Sequence, residues 1–241
     1  MSGHSKWATI KRAKGATDAK RGKIFSSLAK EITMAARSGG RSLDSNPRLR
    51  TILLKAREAN MPNENVERAI KKGTGEIEGV VIEQMTYEGY APAGAGLIVE
   101  VTTDNKNRAA SEVRSVFTRY AGNFAQSGAV AFQFTHCGQF LIGKAKTTED
   151  KLMEIALDAG ADDVRTSDEG FEVICPVNHY YSLAGVFEKA GIKPDSSEIV
   201  YLPKVPLLLS AADAAKVATL VEALEELDDV QHVFTNHEVA G

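Results

Sequence analysis

The feature that most constrains this chain is a change of hydrophobic period at the Gly- and Glu-rich stretch from Gly73 to Gly79. Before it, apolar residues recur at helical spacing; after it, short strand-like runs alternate with helical stretches. A single helical bundle cannot satisfy the second pattern. A helical module joined by a linker to α/β structure is therefore expected.

In the helical part, Ile24, Phe25, Leu28 and Ile32 mark a first helix. Asn46-Pro47 supplies an N-cap and a first-turn proline for a second, which would bury Leu49, Ile52, Leu53 and Ala56. A third begins near Asn63, carries Glu64 and Glu67 in its first turn, turns Val66 and Ile70 inward and stops at Gly73. Residues 24–79 thus read as a three-helix bundle and linker. Residues 1–23 have seven basic side chains against Asp18 and almost no aliphatic residue, so they read as a solvated, mobile tail.

Past the linker, Leu97–Thr103 reads as a strand, Lys106–Tyr120 as a helix, and Ala129–Phe134 as a strand. The pattern returns later as Val205–Leu209, a helix opened by Ser210-x-x-Asp213, and Val230–Thr235. Between these halves lies a second set: Gln139–Ile142, a helix after Thr148, strands at Asp163–Thr166 and Phe171–Cys175, a helix after Asn178, and Glu198–Leu202. The fold class expected is α+β multidomain: an N-terminal helical bundle plus two ferredoxin-like α/β domains, the third inserted into the second. The boundaries are 80–136 plus 204–241 for the split domain and 137–203 for the insert. A single larger α+β sheet is the rival arrangement.

Charge is distributed as unevenly as period. The formal net charge is only −3, yet residues 1–72 hold 17 Lys and Arg against 6 Asp and Glu, a net of +11. Residues 73–241 hold 12 against 26, a net of −14. Such asymmetry suits a polyanion-binding module attached to acidic domains. It also allows the basic segment to dock on its own acidic body, or the acidic domains to serve as an adaptor for a basic partner.

Sequences that imitate catalytic sites fail on inspection. Gly138–Lys144 resembles the start of a phosphate loop, but Ala145 replaces the magnesium-binding hydroxyl and the intervening residues read as a strand. Gly94-Ala95-Gly96 precedes a strand, where a dinucleotide motif follows one. Histidines 4, 136, 179, 232 and 237 lack metal-ligand spacing, and Cys137 and Cys175 stand far apart. The cluster Glu225, Glu226, Asp228 and Asp229 reads as a solvated face. A non-enzymatic protein without cofactor or metal, with no membrane span or secretion leader, is expected in the cytoplasm.

The candidate nucleic-acid contacts are Lys6, Trp7, Lys11, Arg12, Lys14, Lys20, Arg21, Lys23, Lys106 and Arg108. Cations neutralise phosphates and release counterions; the indole can stack on an unpaired base or anchor the tail to the bundle. Lys106 and Arg108 sit in Thr102–Arg108, where a helix N-terminus suits phosphate and where Asp104 or Asn105 can equally act as an N-cap.

Specific motifs add to this. Gly3-His4-Ser5-Lys6-Trp7-Ala8, Asp18–Phe25, Asn46-Pro47-Arg48-Leu49-Arg50, Tyr87-Glu88-Gly89-Tyr90, Thr103–Arg108, Gly122-Asn123 and Gly128-x-Val130-Ala131 closely resemble the YebC/PmpR family over essentially the whole chain. The chain departs from the usual pattern at Ala13 and in Ala91-Pro-Ala-Gly94. The resemblance implies three domains and a cytoplasmic DNA-binding transcriptional regulator. It equally implies kinship with mitochondrial translational activators and with ribosome-associated members that ease synthesis of proline-rich stretches. The partner expected is nucleic acid, either DNA or ribosomal RNA with the ribosome; the sequence leaves the oligomeric state open, leaning slightly to a monomer. No helix-turn-helix signature is clear, and a basic tail suits backbone or shaped-RNA contact, although such arms also assist DNA-reading helices.

Overall fold

The computed structural model describes residues 18–240, with side chains from residue 21 onward. Its elements in chain order are α1 (Asp18–Gly39), α2 (Pro47–Glu58), α3 (Asn63–Thr74), β1 (Glu83–Tyr90), β2 (Gly96–Thr103), α4 (Lys106–Arg119) and β3 (Asn123–Ala125). There follow β4 (Phe134–Gly143), α5 (Glu149–Asp158), β5 (Asp163–Thr166), β6 (Gly170–Pro176), α6 (Tyr180–Lys189) and β7 (Ser196–Pro203). The last are β8 (Leu207–Leu209), α7 (Ala211–Glu225), β9 (Val230–Thr235) and β10 (His237–Val239). None of the described helices is long and apolar enough to cross a membrane.

The first three helices close over Leu28, Ile32, Ala35, Leu49, Ile52 and Ile70. One side chain fixes their first corner. Buried Asn46 accepts from the Leu49 N–H at 3.0 Å and donates to the Ala35 and Gly40 carbonyls at 2.9 and 2.8 Å. It therefore serves the end of α1 and the start of α2 together, and Pro47 occupies a position that needs no N–H. Gly73 does not end α3, as its sequence position suggested. The helix continues to Thr74, and Gly75, at φ +79°, follows it. Gly73 is instead where α3 approaches α1: a Cβ there would stand 2.4 Å from the Thr33 carbonyl oxygen and 2.7 Å from the Ala36 Cβ.

In the split domain, β3-β1-β2-β9 form one antiparallel sheet. Leu97, Val99 and Val101 face α4 and α7, joining Val113, Phe117, Val217 and Leu220 in one core. Ile98 faces the other way and packs with Val130 and Phe134. Ala129–Phe134, expected as a strand here, is not one: Ala131–Gln133 is a 3-10 turn, and Phe134 opens the ten-residue β4. The sheet position falls to Glu83–Tyr90, a strand that the hydrophobic pattern had not marked.

The insert contains β4-α5-β5-β6-α6-β7 with sheet order β5-β6-β4-β7, the ferredoxin-like arrangement. Phe140 lies at its centre, stacked on Tyr180 at 5.0 Å and edge-on to Phe187 at 5.1 Å. Gly138 and Gly143, which imitated a phosphate loop, belong to β4. Contacts divide the chain into two compact units: residues up to Thr74 with His136–Val200, and Gly75–Thr135 with residues from Tyr201 onward. Within the first unit α2 meets α6, where Arg50 Nε lies 3.9 Å from Glu188, and Lys193 Nζ lies 2.7 Å from Glu58.

Two glycine substitutions separate packing from propensity. Gly73→Ala forces backbone against backbone, so a loss of about 1–3 kcal/mol is expected in urea unfolding although alanine favours helix. Gly22→Ala, on α1 with nothing within 4 Å of the added carbon, should raise stability by about 0.5–1 kcal/mol.

Candidate nucleic-acid interface

Of the residues singled out in the sequence, Lys6, Trp7, Lys11, Arg12 and Lys14 lie outside the described residues. Lys20, Arg21 and Lys23 fall at the start of α1, with Arg21 exposed and Lys23 half-buried. The cluster is thus carried on helical backbone close to where α1 begins.

The loop before α4 is built differently from a phosphate cradle. Asn105 is the N-cap, its side chain accepting from the Arg108 N–H at 3.1 Å. Lys106 is paired with Glu83 at 2.8 Å, and Arg108 reaches both Asp104 at 2.8 Å and Asp229 at 2.7 Å. Hydrogen bonds donated to Asp229 first and Asp104 second raise the guanidinium pKa still further. Asp229 is no part of a solvated acidic face. It is 6% exposed and its carboxylate also accepts from the Thr103 hydroxyl at 2.8 Å. A register shift between Glu100 and Val101 in the β2–β9 pairing accompanies a bond from the Thr102 N–H to the Asp229 carbonyl at 2.8 Å. Lys106 and Arg108 are therefore engaged in holding the corner together, and a phosphate arriving there would compete with carboxylates.

Three motifs that lie apart in the sequence meet in one assembly. Glu88 of β1 is buried and accepts from the backbone N–H groups of Gly128 at 2.6 Å, Val130 at 2.6 Å and Ala131 at 2.8 Å. Burial pushes its pKa up, but the three amide bonds outweigh that and hold it below its ordinary value. The Tyr90 hydroxyl donates to the Ala129 carbonyl at 2.7 Å. Gly89 admits the Phe117 ring, which would lie 2.5 Å from a Cβ placed there, and at Gly122 a Cβ would lie 2.9 Å from Phe117 and 3.0 Å from Leu220.

Beside this assembly, an open cleft of about 670 Å³ lies between α4 and the edge formed by β1 and β3. Its lining includes Tyr87, Arg114, Thr118, Asn123, Phe124, Gln126 and Ser127. The Arg114 guanidinium lies 5.0 Å above the Phe124 ring. The sequence had pointed to Lys106 and Arg108 on this helix; Arg114 went unnoticed because its ring partner comes from another strand.

Two family models match the chain: the TACO1/YebC protein N-terminal domain over residues 5–76, and the TACO1/YebC second and third domain over residues 82–237. The chain belongs to the TACO1/YebC family. Among curated relatives, a "Probable transcriptional regulatory protein" of Opitutus terrae is 56% identical over 240 residues, covering 99% of this chain and 97% of that one. One of the same description from Cupriavidus necator is 53% identical over 237 residues, covering 98% of each. The crystal structure of a conserved hypothetical protein from Aquifex aeolicus is 44% identical, covers 93% of each chain and superposes with a TM-score of 0.81. The motifs of this TACO1/YebC member that lie within the described split domain are thus largely architectural. They build the Glu88 assembly and the Arg108–Asp229 corner.

Two outcomes follow. Glu88→Gln replaces one carboxylate oxygen by an N–H facing an N–H, so a loss of about 1–3 kcal/mol in stability is expected. Because folding depresses the Glu88 pKa, its contribution is present above the unfolded value of about 4.3 and fades as pH falls through the folded one. Stability of the parent should therefore drop more steeply than that of the variant in acid. At the other corner, Arg108→Gln should lower the melting temperature clearly more than Lys106→Gln, whose partner is exposed and screened.

Proposed function

We propose that this protein is a non-enzymatic, cytoplasmic regulator of gene expression that works by binding nucleic acid, with transcriptional regulation through DNA as its formal role. The observation that carries this is the charge division: a net of +11 in residues 1–72 of a chain whose total is −3. Its relatives' description as transcriptional regulatory proteins supports the same role. Lys6, Lys11, Arg12, Lys14, Lys20, Arg21 and Lys23 supply phosphate contacts, and Trp7 a base-stacking face. Lys106 and Arg108 contribute as a secondary contact, limited by their carboxylate partners.

Binding of this kind is dominated by counterion release, so it should weaken with salt at a slope of about −0.7 to −0.9 per phosphate neutralised. Deleting residues 1–23 is expected to weaken binding strongly and flatten that slope. The double change Lys20→Ala with Arg21→Ala should weaken it across sequences without altering preference. Unchanged binding to both DNA and RNA after the deletion would refute the proposal. Crosslinking in cells followed by sequencing identifies the polymer: discrete promoter DNA supports transcription, whereas dominant ribosomal RNA replaces it with a ribosome-associated translation role.

A further inference from the structure

We infer that the cleft between α4 and the β1–β3 edge holds one unpaired nucleotide, its phosphate on Arg114 and its base edge against Asn123, Gln126 and Ser127. The inference deepens the nucleic-acid role proposed above and rests on it only for the class of polymer.

The argument begins with the guanidinium. The Arg114 guanidinium carbon lies 5.0 Å from the centre of the Phe124 ring, a cation–π contact that places the charge at the cleft wall. The ring beneath is itself fixed, 5.5 Å from Tyr87 and 6.0 Å from Phe117. Among the described residues Arg114 has no carboxylate partner, unlike Lys106 and Arg108 on the same helix. A planar guanidinium that rests by a ring and has no acid partner among the described residues suits phosphate.

The rest of the lining decides what accompanies the phosphate. Glu88 is the one acid in the cleft wall, and its carboxylate is taken by Gly128, Val130 and Ala131. The anion therefore meets a wall whose negative charge is already engaged. Asn123, Gln126, Ser127 and Thr118 offer both donors and acceptors, the mixture that reads a base edge rather than a second anion. β3 pairs only with Glu88–Tyr90, so the β1 edge at Thr86 and Tyr87 has no strand beyond it on that side among the described residues. The volume, about 670 Å³, falls in the range of roughly 300–1,000 Å³ that accepts a small organic group. A base inside a duplex has its pairing edge occupied and cannot present it to these amides. The site fits a single strand.

The test uses the full-length protein and short labelled RNA and DNA oligonucleotides, single-stranded and duplex, in anisotropy titrations over a salt series. Arg114→Gln should weaken single-strand binding about fivefold or more and reduce the salt slope by about 0.7, with duplex binding unchanged. Arg114→Lys keeps the charge without the stacked fork and should recover less than half of that loss. Asn123→Ala, a second exposed position, should weaken single-strand binding in the same direction. Single-strand affinity unchanged in both Arg114→Gln and Asn123→Ala, while Lys20→Ala with Arg21→Ala still weakens binding, overturns the cleft and leaves the nucleic-acid role standing. Equal losses on single strands and duplexes overturn the unpaired-nucleotide assignment. So does displacement by a polyglutamate peptide as effective as by an unlabelled oligonucleotide. A wild-type protein that binds no nucleic acid overturns both proposals.

Discussion

The split domain depends on a buried carboxylate. Removing a charge from water costs several kcal/mol, and such a group persists only where hydrogen bonds replace its hydration. Glu88 meets that condition with three backbone amides, Gly128, Val130 and Ala131, all within 2.6–2.8 Å. Each bond also takes an N–H that a strand ladder would otherwise need. The chain from 128 to 131 therefore cannot extend the sheet, and regular pairing resumes only at Phe134, where β4 starts the insert. One side chain sets the wall of the cleft and the point where the inserted domain departs.

A similar economy governs other charges of the acidic part. Glu83, Asp104, Asp195 and Asp229 pair with Lys106, Arg108 and Lys146 inside their own domains. The net of −14 in residues 73–241 is consequently not a single open field. Part of it is used in corners, where a carboxylate fixes a loop or a helix start. Where the basic bundle meets the insert, Arg50 lies by Glu188 and Glu58 pairs with Lys193, so a further part of the charge is used between helices of the first unit. Arg114 is set apart among the described cations of α4 by its ring neighbour, Phe124, 5.0 Å away.

Much of the fold was legible because it follows from period and caps. The apolar positions of the bundle, Asn46 as an N-cap, Ser210 before α7, and the strands at Asp163–Thr166 and Val230–Thr235 come directly from local chemistry. What stayed hidden depended on contacts distant in sequence. Glu83–Tyr90 is too polar to resemble an inner strand, since its buried Glu88 satisfies a loop some forty residues away. Ala129–Phe134 is apolar enough to resemble one, yet its amides are claimed from outside, and Phe132 is left 67% exposed. Gly73 looked like a terminator because close helix approach leaves no trace in a local window. Asp229 looked like surface because its partners, Thr103 and Arg108, lie over a hundred residues earlier.

The two proposed contact surfaces would do different work. Clustered cations near the N-terminus add phosphate contacts whose strength grows with number and falls with salt, and which carry little sequence information. The Arg114 cleft holds a single cation, too little for affinity alone, but it is bounded by side chains that distinguish a free base edge from a paired one. A protein combining both would be held on many nucleic acids by the first and settle where a strand is open by the second. Since the ferredoxin-like fold hosts many unrelated functions, that division of labour must come from these side chains and not from the architecture.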